Sequence, residues 1–431
     1  MTRQELRALQ TVSPEQAGLS SERLGRISRW MRDHVERELL AGASVVINRG
    51  GETAWFDSTG SLDVETKTPV QADSIFRIYS MTKPVTSVAA MMLYEQGAFQ
   101  LDEPIARFLP EFKNMQVLVS GSVDEHQCLP ARSLITMRHL LTHTAGFTYD
   151  FFMASPVDAL YNRHGISFAS GRYELAEMVE RLAQLPLLFH PGTRWNYGVS
   201  TDVLGRIVEV ISGKPLDQFF QEYIFHPLGM PDTAFAVDQQ RLDRFSAMYT
   251  SSTRMPPPRV GPEPTLLAPE LTGGLKLFDP AAGGRFEAPV RMFSGGGGLT
   301  STIPDYLRFC LMLRNGGELE GARLLGRKTV EFMRSNHLPG TMADMGEPRF
   351  NNCHMGAGLG FGLGFAVVLN PARAESMGSE GEYFWTGMAN TQFWIDPAED
   401  LIVIQMAQLM PSTLVPMRRE LRSLVYQSII D

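Results

Sequence analysis

Cysteine is scarce in this chain: Cys128, Cys310 and Cys353 are the three among 431 residues. An odd number at wide spacing makes neither a disulfide framework nor a metal-ligand pattern, so no metal and no cofactor is called for. Cys310 stands among Phe309, Leu311, Met312 and Leu313, where a thiol serves as a small buried hydrophobe. Long basic runs are missing too. The formal net charge is -8 and the pI is near 5.7, which argues against nucleic acid or an anionic membrane as a partner. No uninterrupted apolar stretch reaches membrane-spanning length. The opening Met1-Thr2-Arg3-Gln4-Glu5-Leu6 lacks the apolar core of a secretory signal, and a reducing cytoplasm is the expected location. Also absent is the nucleophile elbow Gly-x-Ser-x-Gly, since no serine has glycine at both required positions. That weighs against an ordinary α/β-hydrolase.

What is present is an ordinary globular composition, 44% hydrophobic and 20% charged, in a chain long enough for two structural lobes. Ser20 or Ser21 can cap a helix with Leu24, Ile27, Met31 and Val35 on one face. Strand-like runs at 43–47 and 53–56 follow, joined by Asn48-Arg49-Gly50-Gly51 as a hairpin. From about Gly97 to Gly213 the pattern is mostly helical, with Leu175, Met178, Val179 and Leu182 marking one helix. Val203, Leu204, Ile207, Val208 and Ile211 mark another, closed by Gly213. The proline-rich stretch 251–280 reads as a long surface loop or lid. Short β-rich runs return at 364–369, 382–385, 391–395 and 401–406, before a closing helix with Leu421, Leu424, Val425 and Ile429. Strands at both ends with helices between predict an α+β fold: one antiparallel sheet assembled from both termini, with a helical lobe inserted. Residues 1–90 and 292–431 would form the sheet domain, and 91–291 the mainly helical lobe.

Within this frame the chemistry-bearing feature is Ser80-Met81-Thr82-Lys83. The run Ile75 to Tyr79 reads as a short strand, and Val85, Val88, Ala89 and Met92 recur at helical spacing. Ser80 and Lys83 would then share one face of a helix's first turn, near enough to exchange a proton. A serine hydroxyl needs such a base to act as a nucleophile. The plainer interpretation is an N-capping serine and an exposed lysine. Downstream residues decide between them.

Ser80-Met81-Thr82-Lys83 resembles the first motif of the serine β-lactamase and penicillin-binding protein superfamily. Phe76-Arg77-Ile78, Leu101-Asp102-Glu103-Pro104, the segment His139 to Gly146, Pro191 to Tyr197 and Ser294 to Leu299 are similar to its class C branch and to the family VIII carboxylesterases. The resemblance implies a β-lactamase-like fold and makes Tyr197 the second-motif tyrosine, beside Ser80 and Lys83. Either Lys83 or Tyr197, its pKa lowered towards neutrality, would take the serine proton. Trp385-Thr386-Gly387 matches the third motif with tryptophan in place of lysine, as the esterase branch typically shows. The second motif likewise lacks its asparagine, reading Tyr197-Gly198-Val199. Both departures favour a neutral ester over an anionic lactam. By the same match the backbone N–H groups of Ser80 and Met388 would form the oxyanion hole. His139 and His143 are expected to be structural, and Gly295 to Gly298 a tight turn near the cleft. The implied function is a serine carboxylesterase acting on short-chain esters through an acyl-enzyme. Acyl transfer, small-amide or β-lactam hydrolysis at the same site, or a non-catalytic scaffold, are the alternatives.

Overall fold

The β-rich runs from the two ends of the chain pair into one seven-stranded antiparallel sheet. The computed structural model describes residue 9 and residues 11–167, 171–251, 274–346 and 356–431. Across the sheet the strands run Leu359–Phe361, Ala366–Val368, Tyr383–Thr386, Gln392–Asp396, Leu401–Ala407, Gly42–Arg49 and Glu52–Gly60. The last strand of the chain lies beside the first, with Val46 opposite Ile404 and Ile47 opposite Val403. This is the expected architecture, and the expected hairpin occupies its edge.

Leu401–Ala407 is buried along its whole length, because both faces of the sheet are covered. On one face Phe393 meets Tyr306 of the helix Ile303–Arg314, ring centroids 5.3 Å apart. On the other, Arg422 of the helix Met417–Tyr426 lies 4.7 Å over the Trp394 ring. The helix Ser21–Glu36, capped by Ser20, packs beside it, and Trp30 Nε1 donates to Glu420 at 2.7 Å. The inserted region contains the helices Leu175–Leu182 and Ser200–Ser212 where the periodicity placed them, the second ending at Gly213.

The structure departs from these expectations at five points. The strand ahead of Ser80 is only Phe76–Arg77, paired with Thr300–Ser301, because Tyr79 turns out of extended geometry. The region 97–213 also holds an antiparallel pair, Gln116–Gly121 with His126–Pro130. Most of its side chains are exposed, so it carries no apolar alternation to signal it. The 251–280 stretch is not all loop: Leu275–Asp279 forms a strand paired with Met248–Ser251, while residues 252–273 lie outside the described residues. Ile429 lies beyond the closing helix and bridges to Leu19 instead. The boundary drawn after residue 90 falls inside the helix Thr82–Glu95. Cys310 is buried and unpaired as expected, Cys128 is a free thiol, and Cys353 lies outside the described residues.

Candidate active site

Tyr79–Met81 forms a single 3-10 turn that delivers Ser80 to the start of the helix Thr82–Glu95. Tyr79 has φ +43°, a left-handed conformation that a bulky residue rarely adopts. Its buried side chain holds it there: the hydroxyl donates to Met248 Sδ at 3.3 Å and the ring stands edge-on to Phe286. Local strain of this kind concentrates where a side chain must be aimed. Ser80 is half-exposed between two buried neighbours.

Lys83, in the first helical turn, is buried and donates from Nζ to Ser80 Oγ at 3.1 Å and to the Gly296 carbonyl at 2.6 Å. The expected approach of lysine to serine is present. Burial disfavours the ammonium and lowers the Lys83 pKa to about 7, while Asp202 pulls it back up. Near neutral pH a large share of Lys83 is therefore a free amine.

Tyr197 lies just before the helix Ser200–Ser212, with its ring 4.6 Å from Lys83 Nζ. Its hydroxyl hydrogen-bonds with Ser80 and Tyr149 and accepts from Trp385 Nε1 at 3.3 Å. Burial pushes the phenol up, and these hydrogen bonds offset only part of the rise. The same dry surroundings thus act oppositely on the two candidates: they neutralise the amine and suppress the phenolate. The expected lowering applies to Lys83 and not to Tyr197.

Trp385 is buried in the strand Tyr383–Thr386, its ring edge-on to Phe361 at 5.4 Å. The turn after that strand lies against the backbone leading to Ser80. Thr391 Oγ1 donates to the Ile78 carbonyl at 3.2 Å, and a Cβ on Gly387 would lie 2.5 Å from the same oxygen. Only glycine permits this approach. Met388, in the same turn, is half-buried and packs on the cluster around Tyr79 and Phe245.

The histidines fall where a structural role would put them. His139 completes a capping box with Thr136, and burial with neighbouring Arg138 lowers it to about 4. His143 is wedged among Trp195, Tyr197 and Phe361, and burial beside Lys83 holds it well below the usual histidine range. The glycine run turns over the Lys83 helix, where Thr86 Oγ1 donates to Gly295 and Lys83 to Gly296. Among the described residues no group of three or more His, Cys, Asp or Glu could hold a metal ion. No described helix is long and apolar enough to cross a membrane.

Two contributors went unnoticed in the sequence. Tyr149 carries no pattern that marks it. Asp202 looks like an ordinary acidic residue in a helix's first turn, and only the tertiary arrangement brings it to Lys83.

A hydroxyl, a neutralised amine and a phenol converging in one dry cleft define a serine hydrolase of β-lactamase-like fold. Comparison with known proteins makes the family explicit. The Beta-lactamase family model matches residues 27–427, and the chain belongs to that family. Esterase EstB of Burkholderia gladioli is 32% identical over 374 residues, 85% of this chain and 85% of the relative. Monacolin J acid methylbutanoyltransferase of Aspergillus terreus is 30% identical over 358 residues, 80% of this chain and 79% of the relative. The solved structure of EstCE1, a hydrolase with promiscuous acyltransferase activity, aligns with TM-score 0.75 at 28% identity, covering 94% of this chain and 99% of that one.

Proposed function

We propose that this protein is a serine carboxylesterase that hydrolyses uncharged, short-chain esters through an acyl-enzyme on Ser80. The observation that carries this reading is the 3.1 Å hydrogen bond between Ser80 Oγ and a Lys83 amine whose pKa lies at about 7. Lys83 is the general base: it takes the serine proton as Oγ forms a bond to the ester carbonyl carbon. Tyr197, kept protonated by burial, hands a proton to the departing alkoxide and is reprotonated from Lys83. Trp385 fixes the phenol through its indole N–H and, with Thr386 and Gly387, walls the substrate side without a charge. The N–H groups of Ser80 and Met388 are assigned to the oxyanion, a role in which loss of one donor costs ~3 kcal/mol. Support for Met388 comes from the turn 387–391 lying against Ile78, two residues before Ser80. Water then releases the acid. The free thiols Cys128 and Cys310 suit a reducing cytoplasm.

Acyl transfer to an alcohol is the second reading, favoured by the methylbutanoyltransferase and the EstCE1 hydrolase among the similar proteins. The test is hydrolysis of p-nitrophenyl acetate, butyrate and octanoate by wild type and Ser80→Ala, with nitrocefin alongside. Ester turnover lost in the variant, with little nitrocefin cleavage, is the expected result. Activity surviving in Ser80→Ala would overturn the assignment. A bulky alcohol added to the assay distinguishes transfer from hydrolysis by the ester it forms.

A further inference from the structure

Asp202 is a fully buried carboxylate to which none of the steps above gives a task. Its Oδ1 accepts from Ser294 Oγ at 2.5 Å and from the Gly296 N–H at 3.0 Å. Gly296 in turn offers its carbonyl to Lys83 Nζ at 2.6 Å. One residue of the glycine turn is thus held by the carboxylate on its N–H side and by the amine on its C=O side. The contact is close enough that a Cβ on Gly296 would lie 2.5 Å from Asp202 Oδ2. That second oxygen is buried and has no hydrogen-bond partner among the described residues. A buried carboxylate left partly unsatisfied is costly, so retaining it calls for a compensating role.

We propose that Asp202 is a positioning residue for the reaction: acting through Gly296, its carboxylate holds the Lys83 amine against Ser80 and balances the ammonium that forms there. In that step the Ser80 O–H bond breaks, its proton moves to Nζ, and the oxygen electron pair forms the bond to the carbonyl carbon. The inference rests on the Ser80–Lys83 reading given above. The other titratable groups around Lys83 are Tyr149, Tyr197 and His143. Burial keeps both phenols protonated and the imidazole uncharged near neutral pH. Burial raises the Asp202 carboxyl above its usual range, while Ser294, Lys83 and the Gly296 N–H favour its ionised form; so held, Asp202 is the one source of negative charge among them.

The experiment compares pH–rate profiles of wild type, Asp202→Asn and Ser294→Ala on p-nitrophenyl butyrate. Removing the carboxylate charge removes an influence that raises the Lys83 pKa. In Asp202→Asn the acid limb of kcat/KM should therefore move to lower pH, by on the order of one pH unit. The plateau kcat should fall about tenfold because the base is weaker and looser, with KM little changed. Ser294→Ala loosens the same turn and takes one hydrogen bond from the carboxylate without deleting it, so its limb should move less than that of Asp202→Asn. An unmoved limb in Asp202→Asn, or an equal movement in both variants, overturns the inference. Ser80→Ala and Lys83→Met run in parallel separate the two failures. If either retains activity, the catalytic reading fails; if both are inactive while the Asp202→Asn limb is unmoved, only this inference fails. Should Asp202→Asn not fold, infrared titration of wild type decides. The Asp202 carboxyl, raised by burial and lowered in part by Ser294, Lys83 and the Gly296 N–H, should be ionised at alkaline pH. A buried carboxylic-acid C=O stretch that persists above about pH 8 would mean that Asp202 is protonated and cannot balance Lys83.

Discussion

Replacing Lys83 with methionine should abolish activity and yet stabilise the fold. In the folded protein the Lys83 pKa falls from 10.5 to about 7, which corresponds to roughly 5 kcal/mol of preference for the uncharged amine. Below about pH 7 the folded state must hold an ammonium in a dry site and bears this whole penalty. Methionine has a similar length and no charge, so Lys83→Met removes the penalty. It also leaves the Gly296 carbonyl without its donor, at a cost of about 1–3 kcal/mol. The variant should therefore be about 2–4 kcal/mol more stable than wild type near pH 6. The sign of the pH dependence follows from proton counts. Between about pH 7 and 10.5 the unfolded wild-type chain carries a proton on Lys83 that the folded one has lost, so wild-type stability rises with pH. The advantage of Lys83→Met should then shrink by ~1.4 kcal/mol per pH unit across that window, while titrating groups that do not interact with Lys83 cancel in the difference. Urea unfolding of both proteins from pH 6 to 10 measures this. A stability difference independent of pH, or a variant less stable at pH 6, would refute the account of a depressed lysine.

The same pKa predicts that wild-type kcat/KM rises through about pH 7 as Lys83 loses its proton, and a limb centred above pH 9 would point to another base. Arg77, held by Asp279 at 2.9 Å and by the Ser246 and Pro280 carbonyls, fixes the strand that leads to Ser80. Arg77→Met leaves a buried unpaired carboxylate and should cost about 3–5 kcal/mol in urea unfolding; a loss under 1 kcal/mol would show that Asp279 finds water instead. Gly387→Ala puts a methyl group into Thr391 Oγ1 and the Ile78 carbonyl, so fluorophosphonate labelling of Ser80 should slow at least tenfold. Unchanged labelling would mean that the turn moves away without consequence. Trp385→Lys should raise activity on carboxylate-bearing esters relative to neutral ones; an unchanged ratio would show that the missing charge does not set selectivity.

The pairing of Ser80 with Lys83 was legible because their relationship is local: three residues apart at a helix start, they are neighbours whatever the rest of the fold does. Six of the seven sheet strands were legible for a similar reason, while the short edge strand Leu359–Phe361 was not. Buried strands such as Leu401–Ala407 are apolar runs broken here only by Gln405, and a hairpin such as Gly42–Arg49 with Glu52–Gly60 is closed by its own turn. The surface pair Gln116–Gly121 with His126–Pro130 was not, since exposed strands need no alternation. Nor was the turn at Tyr79, whose left-handed backbone is held by Met248 and Phe286, far away in the chain. Which of Lys83 and Tyr197 is suited to act as a base was equally beyond the sequence. Both pKa values depend on how much water burial excludes, and the same exclusion drives an amine and a phenol in opposite directions. The residue types and their local spacing specified which groups could react. The packing of the glycine turn, Asp202 and the aromatic rings around them decided which of those groups carries a proton.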